Sequence, residues 1–186
     1  MAMAMAMAHP LIPAFFLLIT PLLFLTHSLS PAHASSELVD GVCHESQNYS
    51  FCIQALESDP KTPAAKDYMD LAVISLNLGI SNTTDTRSYI NDLYESPETD
   101  PSKKPALKGC ISGYDGAVGS FKSALGELKE DALTANYDAK VAGDGAVSCE
   151  DQLASGGVKD SSISARNQFT LSLSNIADVI TTHLLH

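Results

Sequence analysis

The sequence predicts an all-α protein: an up-down four-helix bundle preceded by a short N-terminal helical hairpin, with two disulfides. Three observations support this fold class. Four long segments repeat apolar residues at steps of three and four, the spacing of one helix face. No segment shows a convincing two-residue alternation of the kind that marks a strand. Four cysteines, an even number, follow a segment that is typical of secretion.

The N-terminal segment predicts a secretory signal peptide. From Leu11 to Leu25 the residues are almost wholly apolar, which suits a signal sequence and is short for a membrane span of roughly 20 residues. The triplet Ala32-His33-Ala34 has the small-x-small pattern of a cleavage site, so we expect cleavage between Ala34 and Ser35. An uncleaved anchor is the alternative, but two prolines and the small residues at the exit argue against it. The chain thus divides into a signal peptide, 1–34, and one mature domain, 35–186.

The charge of the mature domain limits its partners. The chain has 22 acidic and 11 basic side chains, a net charge of −11, and all of them follow the signal segment. This balance excludes nucleic acid as an expected partner, because binding there depends on cationic contacts to phosphates. It permits a basic protein partner through electrostatic steering, although solubility alone also explains it. No later stretch is apolar enough for a stable membrane span after signal removal.

The cysteines predict disulfides and not a metal site. All four lie in the mature domain, where an even count indicates two disulfides with three possible pairings. Joining neighbours in sequence would contribute roughly 2.7 and 3.9 kcal/mol on the chain-entropy model. Only His44 lies near any of them, so neither a metal nor a cofactor is expected. The four residues are Cys43, Cys52, Cys110 and Cys149.

The first elements are a hairpin and a long helix. Two short apolar helical pieces flank a polar turn from His44 to Asn48, and a disulfide across that turn would clamp them. Thr62 and Pro63 predict the start of the first long helix, with Thr as N-cap and Pro at the first helical position. We expect this helix to end at Pro97, with a possible break between Gly79 and Thr84.

Three further helices follow. The second is expected from Pro105, with one apolar face formed by Cys110, Tyr114, Ala117, Phe121, Leu125 and Leu128. The third begins near Asp131, and its stripe of small residues is Ala132, Ala135, Ala139, Ala142 and Ala146. The last begins near Asp160 and carries Phe169, Leu173, Ile176, Ile180 and Leu184.

Catalytic machinery is not recognisable, so an enzyme is not expected. The mature chain has three histidines, two of them at the C-terminus, and no metalloprotease, phosphate-loop or nucleophile-elbow motif. Glycines at three-residue steps inside the second helix predict a close helix contact; they are Gly113, Gly116 and Gly119. Carboxylates cluster at two places: Glu127, Glu130 and Asp131 at one helix junction, and Glu150 with Asp151 at another. We expect a solvated face with capping roles, and the alternatives are acid–base work or the footprint of a basic partner.

Two sequons predict glycosylation sites in a secreted chain. Asn48-Tyr49-Ser50 lies on the hairpin, and Asn82-Thr83-Thr84 lies at the possible break in the first long helix.

The chain resembles the plant invertase and pectin methylesterase inhibitors over essentially the whole mature domain. Cys43 and Cys52, followed by Leu56 and Asp59-Pro60, are similar to the opening element of that family. Its Cys-x3-Tyr-x2-Ala-Val helix is matched by Cys110, Tyr114, Ala117, Val118 and Leu125. Ser148-Cys149-Glu150-Asp151 is similar to its Thr-Cys-x-Asp signature. The likeness extends to the branch that includes pollen proteins, some of them allergens.

This resemblance implies a helical hairpin on a four-helix bundle, with Cys43 paired to Cys52 and Cys110 paired to Cys149. It also implies a secreted protein of the cell wall that inhibits pectin methylesterase or acid invertase by covering the active-site cleft in a stoichiometric complex. Some invertase inhibitors carry a Pro-Lys-Phe tripeptide, and here the stretch near residues 132–134 reads Ala-Leu-Thr, which favours pectin methylesterase. The alternative is a non-inhibitory structural or ligand-carrying bundle, encountered chiefly as an allergen.

Overall fold

The computed structural model describes residues 37–186, so the predicted signal peptide and its cleavage site at Ala34–Ser35 lie outside the described residues. Within 37–186 every regular element is helical, which confirms the all-α class. The α-helices are α1 Glu37–Glu45, α2 Tyr49–Glu57, α3 Tyr68–Glu95, α4 Lys104–Glu127, α5 Ala132–Val141, α6 Asp144–Ser155 and α7 Ser161–Thr182. Short 3₁₀ turns cover Thr62–Ala64, Pro101–Lys103 and His183–Leu185.

Four helical rods form the bundle, because α5 and α6 together occupy one position. Helix α3 packs against α4 and α7, α4 also packs against α5 and α6, and α7 also packs against α5 and α6. Short loops reverse the chain between rods, as the up-down topology requires. None of the helices in this part of the chain combines the length and hydropathy needed to cross a membrane.

The N-terminal hairpin is present as predicted. The Cys43–Cys52 disulfide joins α1 to α2 across the turn, with 5.3 Å between the two Cα atoms. Asn48 begins α2 as its N-cap, where its side-chain oxygen accepts a hydrogen bond from the backbone N–H of Phe51 at 3.1 Å. Apolar side chains of both helices are buried beneath the hairpin, including Val39, Val42 and Leu56.

The first long helix begins later than predicted and does not break. Thr62 is not its N-cap, because the Thr62 hydroxyl donates a hydrogen bond to the carbonyl of Leu56 and residues 62–64 form a separate 3₁₀ turn. The cap is Asp67, whose carboxylate accepts from the backbone N–H of Asp70 at 2.9 Å. Helix α3 then runs without interruption to Glu95, so the possible break between Gly79 and Thr84 is wrong. Gly79 serves packing instead: a Cβ there would lie 2.5 Å from the ring of Phe121.

The third predicted helix is two helices, α5 and α6, which are separated at Ala142 and Gly143. The hydroxyl of Ser174 on α7 accepts from the backbone N–H of Gly143 at 3.1 Å and donates to the carbonyls of Ala139 and Lys140. A side chain that inserts into the backbone hydrogen-bond ladder in this way interrupts the regular helix. The alanine stripe itself is buried as expected at residues 135, 139, 142 and 146, while residue 132 is half-buried.

The predicted faces of α4 and α7 are largely confirmed. Helix α4 begins at Lys104, one residue before Pro105, and its apolar row is buried except for the half-buried Leu125. Asp160 caps α7 through the backbone N–H groups of residues 162 and 163. Two residues of the predicted α7 row are exceptions. Leu184 lies beyond the end of α7 and is half-buried, and Phe169 lies at the edge of the row and is 43% exposed. Its ring packs edge-on against Phe51 of the hairpin, with 4.7 Å between the ring centroids.

Candidate protein-binding face

The outer side of α5 presents two large apolar side chains to solvent. Leu133 is 68% exposed and Tyr137 is 63% exposed, the highest values among the large hydrophobic residues of the described chain. They are four residues apart and therefore adjacent on one helix face. Val141 continues the row by one more turn and is half-buried. We call Leu133, Tyr137 and Val141 the α5 face.

The α5 face leads into an open groove between α4 and α6. The groove has a volume of about 520 Å³, and Val141 and Asp144 line the end that adjoins α5. Most of its lining side chains are small or polar: Gly109, Ser112, Gly113, Gly116, Ala117, Ser120, Gly145, Ser148 and Gln152. A surface of this kind leaves backbone and hydroxyl groups accessible, which suits contact with a protein segment better than an apolar small molecule.

Close approach of α4 and α6 forms the floor of this groove. Gly113 and Gly145 lie so close that a Cβ on either residue would clash with the backbone oxygen of the other. The predicted helix contact is therefore correct for Gly113. It is wrong for Gly116 and Gly119, because a Cβ on either residue would meet no atom of another helix within 4 Å.

Carboxylates border the α5 face. Asp131 caps α5, and the backbone N–H of Thr134 donates to it at 3.0 Å while the Thr134 hydroxyl donates at 2.7 Å. These hydrogen bonds lower the pKa of Asp131, and the bond from the Thr134 backbone contributes most. The carboxylate therefore keeps its negative charge beside Leu133. The charged residues within α5 and in the segments that flank it, 127–144, are Glu127, Lys129, Glu130, Asp131, Asp138, Lys140 and Asp144. Five are acidic and two are basic, so the surroundings of the apolar pair are net negative.

A buried polar network lies at the centre of the bundle. The Tyr114 hydroxyl donates to the side-chain oxygen of Asn167 at 2.6 Å, and the Asn167 side-chain nitrogen donates to Glu150 at 2.8 Å. The Thr170 hydroxyl donates to the side-chain oxygen of Asn82 at 2.9 Å and lies 3.2 Å from the Tyr114 oxygen. Burial raises the pKa of Tyr114 to about 12, and its side chain is fully inaccessible to solvent. The network therefore fixes the positions of α3, α4, α6 and α7 relative to one another.

Each of the predicted cysteines is in a disulfide in the pairing that the family resemblance implies. Cys43 pairs with Cys52, and Cys110 on α4 pairs with Cys149 on α6 beside the groove. Within residues 37–186, no group of three or more His, Cys, Asp or Glu side chains could hold a metal ion.

The remaining predicted residues lie apart from the α5 face. His44 and Asn48 are on the hairpin. His183 stacks on Tyr68 with 4.1 Å between the ring centroids, and its Nε2 lies 3.2 Å from Glu45. Asn82 is in the middle of α3 and not at a break.

Leu133 was not predicted as a contact residue, although the sequence contains a signal for it. Residues 133 and 137 lie two positions from Ala135 and Ala139, and two positions correspond to about 200° around a helix. Because the alanine stripe faces the bundle, apolar residues opposite to it must face solvent. Large apolar side chains on the solvent side of an amphipathic helix are a sign of a partner.

Comparisons with known proteins agree with this architecture. The family model described as "Plant invertase/pectin methylesterase inhibitor" matches residues 37–180. A "Putative invertase inhibitor" from Platanus acerifolia is 34% identical over 130 residues, covering 66% of this chain and 72% of the relative. A "Pectinesterase inhibitor" from Actinidia deliciosa is 33% identical over 123 residues, with 63% of each chain covered. The crystal structure of a mutant form of a pectin methylesterase inhibitor from Arabidopsis superposes with a TM-score of 0.66 at 26% identity, covering 76% of this chain and 93% of that one.

Proposed function

Because the chain belongs to the plant invertase/pectin methylesterase inhibitor family, we propose that it is a secreted protein inhibitor of a cell-wall carbohydrate-active enzyme. It acts as a binding protein and not as an enzyme, by forming a stoichiometric complex that covers the active-site cleft of its target. Pectin methylesterase is the favoured target, and acid invertase is the second.

The α5 face is the observation that carries this proposal. An aromatic and an aliphatic side chain, Tyr137 and Leu133, stand out from a rigid helix and are bordered by carboxylates. Interfaces commonly depend on a few such central residues, with Tyr enriched among them, surrounded by a polar rim. Negative charge at the rim favours a basic enzyme and accelerates association at low salt.

Two findings support pectin methylesterase over invertase. The Pro-Lys-Phe tripeptide of some invertase inhibitors is absent, and the stretch near residues 132–134 reads Ala-Leu-Thr. The solved structures that resemble this chain include pectin methylesterase inhibitors at 26% and 27% identity. The relatives from Platanus are instead named putative invertase inhibitors, so both enzymes are included in the test.

The decisive experiment is an inhibition assay of the mature protein, residues 35–186, against both enzymes at micromolar inhibitor. We expect one of them to be inhibited with 1:1 stoichiometry, and we expect inhibition to weaken as salt rises from about 50 to 300 mM because the charges are screened. Absence of inhibition of either enzyme would overturn the proposal and favour a non-inhibitory secreted bundle.

A double variant locates the contact. Leu133→Ala with Tyr137→Ala should raise the inhibition constant by roughly 30-fold or more, the effect of losing a hot spot of about 2 kcal/mol. The matched control is Val73→Ala, which removes an exposed apolar side chain from α3, a helix that does not pack against α5. An equal effect of both changes would show that the α5 face is not the contact.

Secretion and cleavage at Ala34–Ser35 are part of the proposal. The apolar segment and the small-residue exit support them, as does membership of a family of cell-wall inhibitors. Sequencing the N-terminus of the protein recovered from the cell-wall space should return Ser35 as the first residue. A retained Met1 segment would support an uncleaved anchor instead.

A further inference from the structure

A small groove between α2, α3 and α7 contains the asparagine of the second sequon. Its volume is about 200 Å³, and Asn82 lines it beside the half-exposed ring of Phe169. Leu78, Leu173, Ala55 and Ser58 complete most of its wall. The groove therefore joins a glycosylation sequence to an aromatic surface that the core leaves uncovered.

The side-chain oxygen of Asn82 is hydrogen-bonded, whereas its side-chain nitrogen is not. Its oxygen accepts a hydrogen bond from the buried hydroxyl of Thr170 at 2.9 Å, and Thr170 follows Phe169 directly on α7. Its nitrogen makes no hydrogen bond with the described residues, 37–186. The nitrogen is the atom that an N-linked glycan modifies, so the fold holds the amide by its oxygen and leaves the nitrogen unengaged.

We propose that Asn82 carries an N-linked glycan whose first N-acetylglucosamine occupies this groove against Phe169. The C–H groups on one face of a pyranose carry partial positive charge, and the face of an aromatic ring is negative, so the two surfaces attract. The sugar would also cover an apolar ring that is 43% exposed in the protein alone.

The modification is an ordinary group transfer in the secretory pathway. The Asn82 side-chain nitrogen loses a proton to the transferase and bonds to C1 of the sugar. The bond from C1 to a lipid-linked diphosphate breaks, and the diphosphate leaves with the electron pair. The oligosaccharide donor and the transferase belong to the host cell, so this inference rests on the proposed secretion of the chain.

The test compares Thr84→Ala with Ser50→Ala, each of which removes one sequon and leaves its asparagine intact. Thr84 and Ser50 are both exposed, so neither change should disturb the core. The full chain, and residues 35–186 behind a host signal peptide, are produced in plant cells, and tryptic glycopeptides are identified by mass spectrometry. We expect Asn82 to be modified, and we expect Thr84→Ala to lower the melting temperature by roughly 2–4 °C.

Two controls isolate the groove. In protein made without glycans in a bacterial periplasm, Thr84→Ala should leave the melting temperature unchanged or slightly raised, because Ala has the better helix propensity. When Phe169 is also replaced by Ala, Thr84→Ala should no longer lower the melting temperature of the protein made in plant cells. An unmodified Asn82 in the secreted protein, or an equal loss with and without Phe169, would overturn the proposal. If the chain's own signal peptide does not direct secretion, only the full-length protein will lack the glycan. The protein that carries a host signal peptide will still be modified at Asn82, so this outcome is distinguishable from failure of the glycan proposal.

Discussion

The hydroxyl of Tyr114 on α4 donates a 2.6 Å hydrogen bond to the side chain of Asn167 on α7, and both residues are fully buried. The two residues are 53 positions apart in the chain. A polar bond at this depth is strong only while both partners are present, because a buried group that loses its partner keeps its desolvation cost. This bond therefore specifies how α4 and α7 are aligned.

Replacing Tyr114 by Phe should destabilise the protein by about 1–3 kcal/mol, because the Asn167 oxygen would be left buried without its donor. The measurement is the free energy of unfolding in urea. Tyr137→Phe is the matched control, since that ring is 63% exposed and its loss of a hydroxyl should cost less than about 0.5 kcal/mol. Equal losses in the two variants would contradict the assignment of a structural role to the buried hydroxyl.

Alkaline pH should weaken the fold through the same residue. Burial raises the pKa of Tyr114 to about 12, whereas tyrosine in an unfolded chain titrates near 10. As pH rises, Tyr114 therefore loses its proton in the unfolded state before it does so in the folded state. Its contribution to the free energy of unfolding is complete below about pH 10 and is lost as pH rises towards about 12. Unfolding free energies measured from pH 8 upward should fall more steeply for the native protein than for Tyr114→Phe. Parallel curves would show that Tyr114 does not carry this dependence.

Ser174→Ala should destabilise the junction of α5 and α6. The change removes the hydroxyl that accepts from Gly143 and donates to the carbonyl of Ala139, at a cost of about 1–3 kcal/mol. Ser172→Ala is the control on the same helix, because the Ser172 hydroxyl bonds only to the carbonyl of Gln168 within α7. Hydrogen exchange should show faster opening of residues near Gly143 in the first variant alone. Unchanged exchange there would mean that Ser174 does not stabilise the junction of α5 and α6.

Two glycine substitutions should have opposite signs. Gly145→Ala places a methyl group against the backbone oxygen of Gly113 and should destabilise the protein by about 1–3 kcal/mol through overpacking. Gly119→Ala meets open space on the exposed side of α4 and should stabilise it by about 0.5–1 kcal/mol, because Ala is the better helix former. Thermal unfolding distinguishes the two. Stabilisation by both changes would show that α4 and α6 can separate without cost.

The sequence predicted less of the candidate binding face than of the fold. The acidic residues near the α5 face were evident in the sequence, but the exposure of Leu133 depends on which side of α5 meets the bundle. The exposure of Phe169 depends likewise on the hairpin, since its ring contacts Phe51 more than 100 positions earlier in the chain. The alanine stripe indicates that side of α5, whereas nothing in the spacing of apolar residues indicates the contact between Phe169 and Phe51.

The sequence by itself determined the helical class, the hairpin and the apolar rows of the bundle. These follow from local spacing, since a helix repeats every 3.6 residues and its buried row must be apolar. Only the tertiary structure decided where α3 begins, where α5 ends and which glycines touch another helix. The physical reason is that each of these depends on a contact outside the local helical repeat. The Leu56 carbonyl accepts a hydrogen bond from the Thr62 hydroxyl, the Ser174 hydroxyl accepts one from the Gly143 backbone N–H, and the Gly113 backbone packs directly against Gly145.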